Sequence, residues 1–69
     1  MKSAVKTICK NDKKALITRT KLSDGYNYYI TLLTYSRTFN SWFINEGYKQ
    51  EKTILSYKEA LLEAKKAIS

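Results

Sequence analysis

Eight of the nine aromatic residues of this 69-residue chain lie between Tyr26 and Tyr48, a stretch that holds one base, Arg37, and one acid, Glu46. Aromatic side chains in so uncharged a run favour a packed, pleated sheet. The positive charge lies elsewhere. Of the formal net charge of +7, residues 1–22 carry +6, residues 23–48 carry −1 and residues 49–69 carry +2. A sheet with a basic arm beside it can display a positive surface, and that surface attracts polyanions at low salt.

The length predicts a single domain, residues 1–69, with one small core and modest stability. The usual reinforcements of a small fold are missing from the sequence: Cys9 is its one cysteine and it has no histidine, so an internal disulfide and a Cys/His zinc site are both excluded. No apolar run approaches the ~18 residues of a membrane span. Met1 to Lys10 alternates lysines with small apolar residues instead of presenting the apolar core of a signal peptide. The expected compartment is a reducing cytoplasm.

Residues 4–10 (AVKTICK) alternate as a half-exposed strand, with Val5, Thr7 and Cys9 on one face and Lys6, Ile8 and Lys10 on the other. On that reading Cys9 is a small buried apolar residue; the alternative is an exposed thiol whose thiolate is favoured by Lys6 and Lys10. Asn11 to Lys14 reads as a hairpin loop into a second strand over residues 15–21, and Asp24-Gly25 as a tight turn into a third over residues 26–35. On the third strand Tyr26, Tyr28, Ile30 and Leu32 form the apolar face, whereas Asn27, Tyr29, Thr31, Leu33 and Tyr35 mix polar and aromatic groups. A fourth strand over residues 38–45 sets Trp42 and Ile44 against Phe39 and Phe43, with the buried side left open. Trp42 and Tyr57 join Tyr26 and Tyr28 as expected core aromatics. Residues 48–55 form either a fifth strand or a loop.

The C-terminus carries the clearest local signal. Ser56 with Glu59 three residues on fits a capping box, and a helix over residues 57–68 puts Tyr57, Ala60, Leu61, Ala64, Ala67 and Ile68 in one stripe, with Glu59, Glu63 and Lys66 opposite. The fold class is therefore α+β: a small antiparallel sheet of four strands, with three and five as the alternatives, and one C-terminal amphipathic helix packed on one face.

Catalysis is not expected. Without histidine there is no imidazole base and no Ser-His or Cys-His nucleophile pair. Asp12, Asp24 and Glu46 fall at turns, Glu59 and Glu63 belong to the helix, and two isolated glycines build no phosphate loop. Neither a cofactor nor a metal is implied.

What remains is binding. Lys6, Lys10, Lys13 and Lys14 surround the first hairpin, Arg19 and Lys21 share a face of the second strand, and Arg37 stands at a turn. If they share a face or rim they track phosphates, the arginines by bidentate contacts; otherwise they are solvated charge, or lysines that discourage edge-to-edge pairing of strands. Tyr29 and Tyr35, with Thr31 between them, lie on the mixed face, where a tyrosine can stack on a base or bond a phosphate. The order of hairpin strands, Asp-Gly turn, aromatic strand and closing helix over residues 15–68 resembles the layout of the arm-site-binding domains of tyrosine integrases and of the plant AP2 domains. In those families the sheet enters the DNA major groove. The resemblance is one of architecture without a shared motif, and the strand before residue 15 departs from it; it implies Arg19, Lys21, Tyr29, Thr31 and Arg37 as readers.

The leading expectation is a small basic nucleic-acid-binding module, DNA favoured over RNA. The alternative is a protein-interaction or inhibitor module that binds an acidic partner or homodimerises through its tyrosine-rich face, since Tyr and Arg are also enriched at protein interfaces.

Overall fold

Four strands in consecutive hairpins make one antiparallel sheet of order β1-β2-β3-β4: β1 is Ser3–Lys10, β2 Lys13–Leu22, β3 Gly25–Ser36 and β4 Ser41–Ile44. One helix, α1, Tyr57–Ile68, closes the chain over a single face of that open sheet. The computed structural model describes residues 2–69. The described chain measures 44 × 23 × 19 Å, and the long axis follows from β3, whose 12 residues at ~3.3 Å each extend about 40 Å.

Alternation assigns the faces. On β2, Ala15 and Ile17 are buried and Leu16 and Thr18 are not; on β3, Tyr28, Ile30 and Leu32 are buried between half-exposed neighbours. The register places Ala15 opposite Leu32 and Ile17 opposite Ile30, so the apolar sets meet on one side. There they meet Ala60, Ala64 and Ile68 of α1, spaced four apart on one helical stripe. The two alanines, both without exposed surface, let the helix approach the sheet closely. The helix starts at Ser56 with one half of the capping box: Ser56 Oγ accepts from the Glu59 N–H at 3.2 Å, while the Glu59 side chain does not return a bond to the Ser56 N–H. Lys65 and Lys66 lie in the last turn, where the helix dipole favours positive charge.

Several boundaries differ from those the sequence suggests. The first hairpin turns on Asn11 and Asp12 alone, with Asn11 at φ 55°, a left-handed conformation that asparagine tolerates; Lys13 and Lys14 are strand residues. The register shifts between Ala4 and Lys6, a bulge that breaks strict alternation on β1. An extra residue reverses the parity of everything before it, so Val5 and Ile8, three apart, both pack on the core. Cys9, expected inside with Val5, is exposed. The fourth strand is only four residues long, because residues 37–40 form the turn and Asn40 takes φ 54°. Phe39 therefore stands in that turn, and its ring meets Phe43 edge-on at 5.8 Å. Two expected core aromatics lie outside the core: Trp42 belongs to the face away from the helix, and Tyr57, at the first turn of α1, is 39% exposed, with its ring 6.3 Å from that of Tyr28.

Residues 48–55 do not form a fifth strand. β4 pairs only with Leu33 to Ser36, which leaves the rest of β3 with one edge lacking a strand partner. The returning chain satisfies it by other means. Tyr28 N–H donates to the Ile54 carbonyl at 2.8 Å, an isolated bridge, and Gln50 completes the ladder with its side chain. Ile30 N–H donates to Gln50 Oε1 at 3.0 Å, while Gln50 Nε2 donates to the carbonyls of Tyr28 at 3.2 Å and Lys52 at 2.9 Å. One side-chain amide thus stands in for the peptide group of a missing neighbour strand and covers an edge otherwise open to pairing with another chain. Ile54 follows into the core.

Glu63, expected on the wet side of the helix, is half-buried and accepts a hydrogen bond of 2.7 Å from the Tyr48 hydroxyl. Partial burial, then this bond and the negative charges of Glu63 and Glu51, push the Tyr48 hydroxyl well above its ordinary range, so it stays protonated.

Candidate nucleic-acid interface

Among the described residues nothing forms a second layer over the face of the sheet opposite α1. Residues paired across it alternate with the core set: Thr7 with Leu16 on β1 and β2, Lys14 with Leu33, Leu16 with Thr31, Thr18 with Tyr29 and Thr20 with Asn27 on β2 and β3, and Tyr35 with Trp42 on β3 and β4. The face has two halves. One is apolar and aromatic, built from Leu16, Leu33, Tyr35, Trp42 and Ile44; the other is hydroxyl- and amide-rich, built from Thr18, Thr20, Asn27, Tyr29 and Thr31.

A lysine lies over an aromatic ring in each half. Lys14 Nζ stands 4.2 Å from the centre of the Trp42 ring, reaching across β3 to do so, and Lys2 Nζ stands 4.6 Å from the centre of the Tyr29 ring. Each contact is worth about 0.5–1 kcal/mol at an exposed site, enough to hold a flexible ammonium near the sheet without removing it from solvent. Trp42 also meets Tyr35 edge-on at 5.2 Å, and the Tyr35 hydroxyl donates to Asn40 Oδ1. At the Tyr29 end the β3 edge and residues 49–53 enclose an open cleft of about 500 Å³, to which Lys2, Lys49 and Lys52 bring positive charge and Asn27, Tyr29 and Thr31 bring the sheet wall.

Four of the ten sequence candidates share this face: Lys14, Tyr29, Thr31 and Tyr35. The others do not join them. Arg19 and Lys21 continue the parity of Ala15 and Ile17 and register with Tyr28 and Tyr26, so they belong to the helix side, where Arg19 stacks on the Tyr26 ring at 4.0 Å. Lys6 pairs opposite Ile17 on that same side and is exposed. Lys10 and Lys13 face each other and line a hollow with Ile68 and Ser69, where their charge complements the end of the helix dipole. Arg37 does not stand alone: its guanidinium lies 3.6 Å from Asp12 across neighbouring turns, an exposed pair worth little to stability. The basic residues of the first hairpin are therefore divided between two faces and a rim.

Lys2, Lys49, Lys52 and Trp42 are the members of the face that strand-by-strand reading misses. Trp42 carries a weak signal, since its parity with Ile44 placed the pair on one side. Lys49 and Lys52 carry none, because their position depends on the Gln50 bonds that tie an irregular segment to β3.

Among the described residues no helix is long and apolar enough to cross a membrane. Comparison with family models, with curated proteins and with solved structures gives no match.

Proposed function

We propose that this chain is a small basic nucleic-acid-binding module of the cytoplasm, a single domain without catalytic activity, that binds through the sheet face opposite α1. The observation that carries the reading is the pairing of cation and ring on that bare face, Lys14 over Trp42 and Lys2 over Tyr29, with Lys49 and Lys52 at its margin. Lysines supply phosphate contacts, rings supply stacking surface, and Thr18, Thr20, Asn27 and Thr31 supply groups able to bond base edges. DNA is favoured over RNA by the architectural resemblance of hairpins, aromatic strand and closing helix to sheet-reading DNA-binding domains. Arg19, Lys21, Arg37, Lys6, Lys10 and Lys13 add to the field that attracts the polymer, and of the ten candidates Lys14, Tyr29, Thr31 and Tyr35 touch it.

The reading is tested by fluorescence anisotropy with labelled DNA and RNA across a salt series. With several phosphate contacts the affinity falls on the order of a hundredfold between ~50 and ~200 mM salt, and Lys14→Ala lowers the slope of log affinity against log salt by about 1. Absence of binding to either polymer at low salt overturns it.

A second reading is a protein interface, formed with an acidic partner or between two copies. Ile44 and Phe39 favour it, being 66% and 73% exposed. Its signature is a concentration-dependent dimer in sedimentation, lost on Ile44→Lys, with no affinity for nucleic acid.

A further inference from the structure

The cleft at the Tyr29 end is shallow and largely open to solvent, with a volume of about 500 Å³ between the sheet wall and residues 49–53. Resting on the nucleic-acid reading above, we propose that it receives one nucleotide of a single strand, the base against Tyr29 and the adjoining phosphate among Lys2, Lys49 and Lys52.

Three properties of the cleft carry this. First, its charge is one-sided, with three lysines against the single acid Glu51. Second, its walls are held in place. Asn27 Nδ2 donates to the Tyr29 hydroxyl at 3.0 Å, which orients the ring, and the Gln50 amide is fixed by its bonds to Ile30, Tyr28 and Lys52. Gln50 has thereby committed both its acceptor and its donor group to backbone, so it forms the wall and leaves bonding of a base edge to Asn27, Thr31 and Thr53. Third, the Tyr29 ring is already covered by a cation, Lys2 Nζ at 4.6 Å. A base stacked there takes the place of the ammonium, which is then free to pair with the phosphate of the same nucleotide. The exchange trades a weak cation–π contact for stacking and an ion pair.

The geometry also chooses the form of the polymer. Stacking on Tyr29 needs a base with one face free, and within a duplex both faces of each base are covered by its neighbours. The bound species is an unpaired strand, and the chemistry it offers, one base and one phosphate, is common to DNA and RNA.

The test compares, by anisotropy at one low salt concentration, labelled oligodeoxyuridylate, oligouridylate and a blunt duplex of equal length. Single strands are expected to bind about tenfold or more tightly than the duplex, and the two homopolymers show which sugar is preferred. Tyr29→Leu is expected to weaken the single strands by about five- to a hundredfold, the range for loss of one stacked base, while Tyr29→Phe, which keeps the ring and serves as the check if the leucine variant folds poorly, retains binding. Lys49→Ala with Lys52→Ala lowers the salt slope by about 1, the loss of one neutralised phosphate. A duplex bound as tightly as the single strands, with the cleft variants unchanged and Lys14→Ala impaired, overturns the cleft and leaves the open-face reading in place. Loss of all binding in the unaltered protein overturns both.

Discussion

The two faces of β2 and β3 are made from alternate residues of the same strands, and α1 covers one of them and not the other. Ile17, Ile30 and Leu32 lie beneath the helix, while Leu16, Thr31 and Leu33, their immediate neighbours, lie on the bare side. Composition hardly distinguishes the sets, since both contain leucine. The difference is what else each face holds. The covered face takes alanines, branched aliphatics and Tyr28 that fill one thin layer, whereas the open face sets threonines and an asparagine beside its leucines and aromatics, and those polar groups remain hydrated without cost. A chain of this size has a single helix to lay over its sheet, and the other face stays uncovered among the described residues.

The largest expected effect separates the faces directly. Ile17, with no exposed surface, loses its packing in Ile17→Ala at a cost of about 2–5 kcal/mol, much of the stability of so small a domain. Leu16→Ala, one residue away on the open face, costs about 1 kcal/mol or less. Urea denaturation of the two variants measures the contrast; equal losses break it, and mean that the open face is covered in solution by a second copy.

The seam between the faces gives the next largest effect. Gln50→Ala strands the Ile30 N–H and the Tyr28 carbonyl at the edge of β3, and is expected to cost about 1–3 kcal/mol. The same change loosens the cleft wall on the open face. Hydrogen exchange should speed up at Ile30 while the β2 amides of Ala15 and Ile17 keep their protection; uniform protection along β3 would show that the amide side chain is not what seals this edge.

The smallest effect lies on the covered side and depends on pH. The Tyr48 hydroxyl has its affinity for its proton raised in the fold by burial and by Glu63. Above the unfolded value of about 10 the unfolded chain releases this proton while the folded chain holds it, so folding is disfavoured as pH rises. The stabilisation is fully present below pH ~10 and fades above it. Tyr48→Phe is expected to be slightly less stable at neutral pH and to lose stability less steeply in alkali. Parallel alkaline profiles for the two proteins would remove the Tyr48–Glu63 bond from the account.

Much of this could be read along the chain. The apolar face of β3, the Ser56 cap, the stripe on α1 and the antiparallel hairpin order are all local, set by period-two alternation, helical periodicity and side chains that bond backbone a few residues away. Tyr29, Thr31 and Tyr35 were placed on the open face by the same parity. Parity failed where the count changed: the bulge before Lys6 turned Val5 inward and left Cys9 outside.

The sequence by itself determined which residues of β2, β3 and α1 share a side, because that depends only on spacing within one regular strand or helix; on β1 the bulge decided it. The tertiary structure alone decided which side the helix would take from Trp42, that Arg37 would meet Asp12, that Arg19 and Lys21 would part company with Tyr29, and that Lys49 and Lys52 would come to stand beside it. Each of these depends on register between strands or on one glutamine tied to a distant backbone. Such contacts join residues far apart in the chain, and no local periodicity records them.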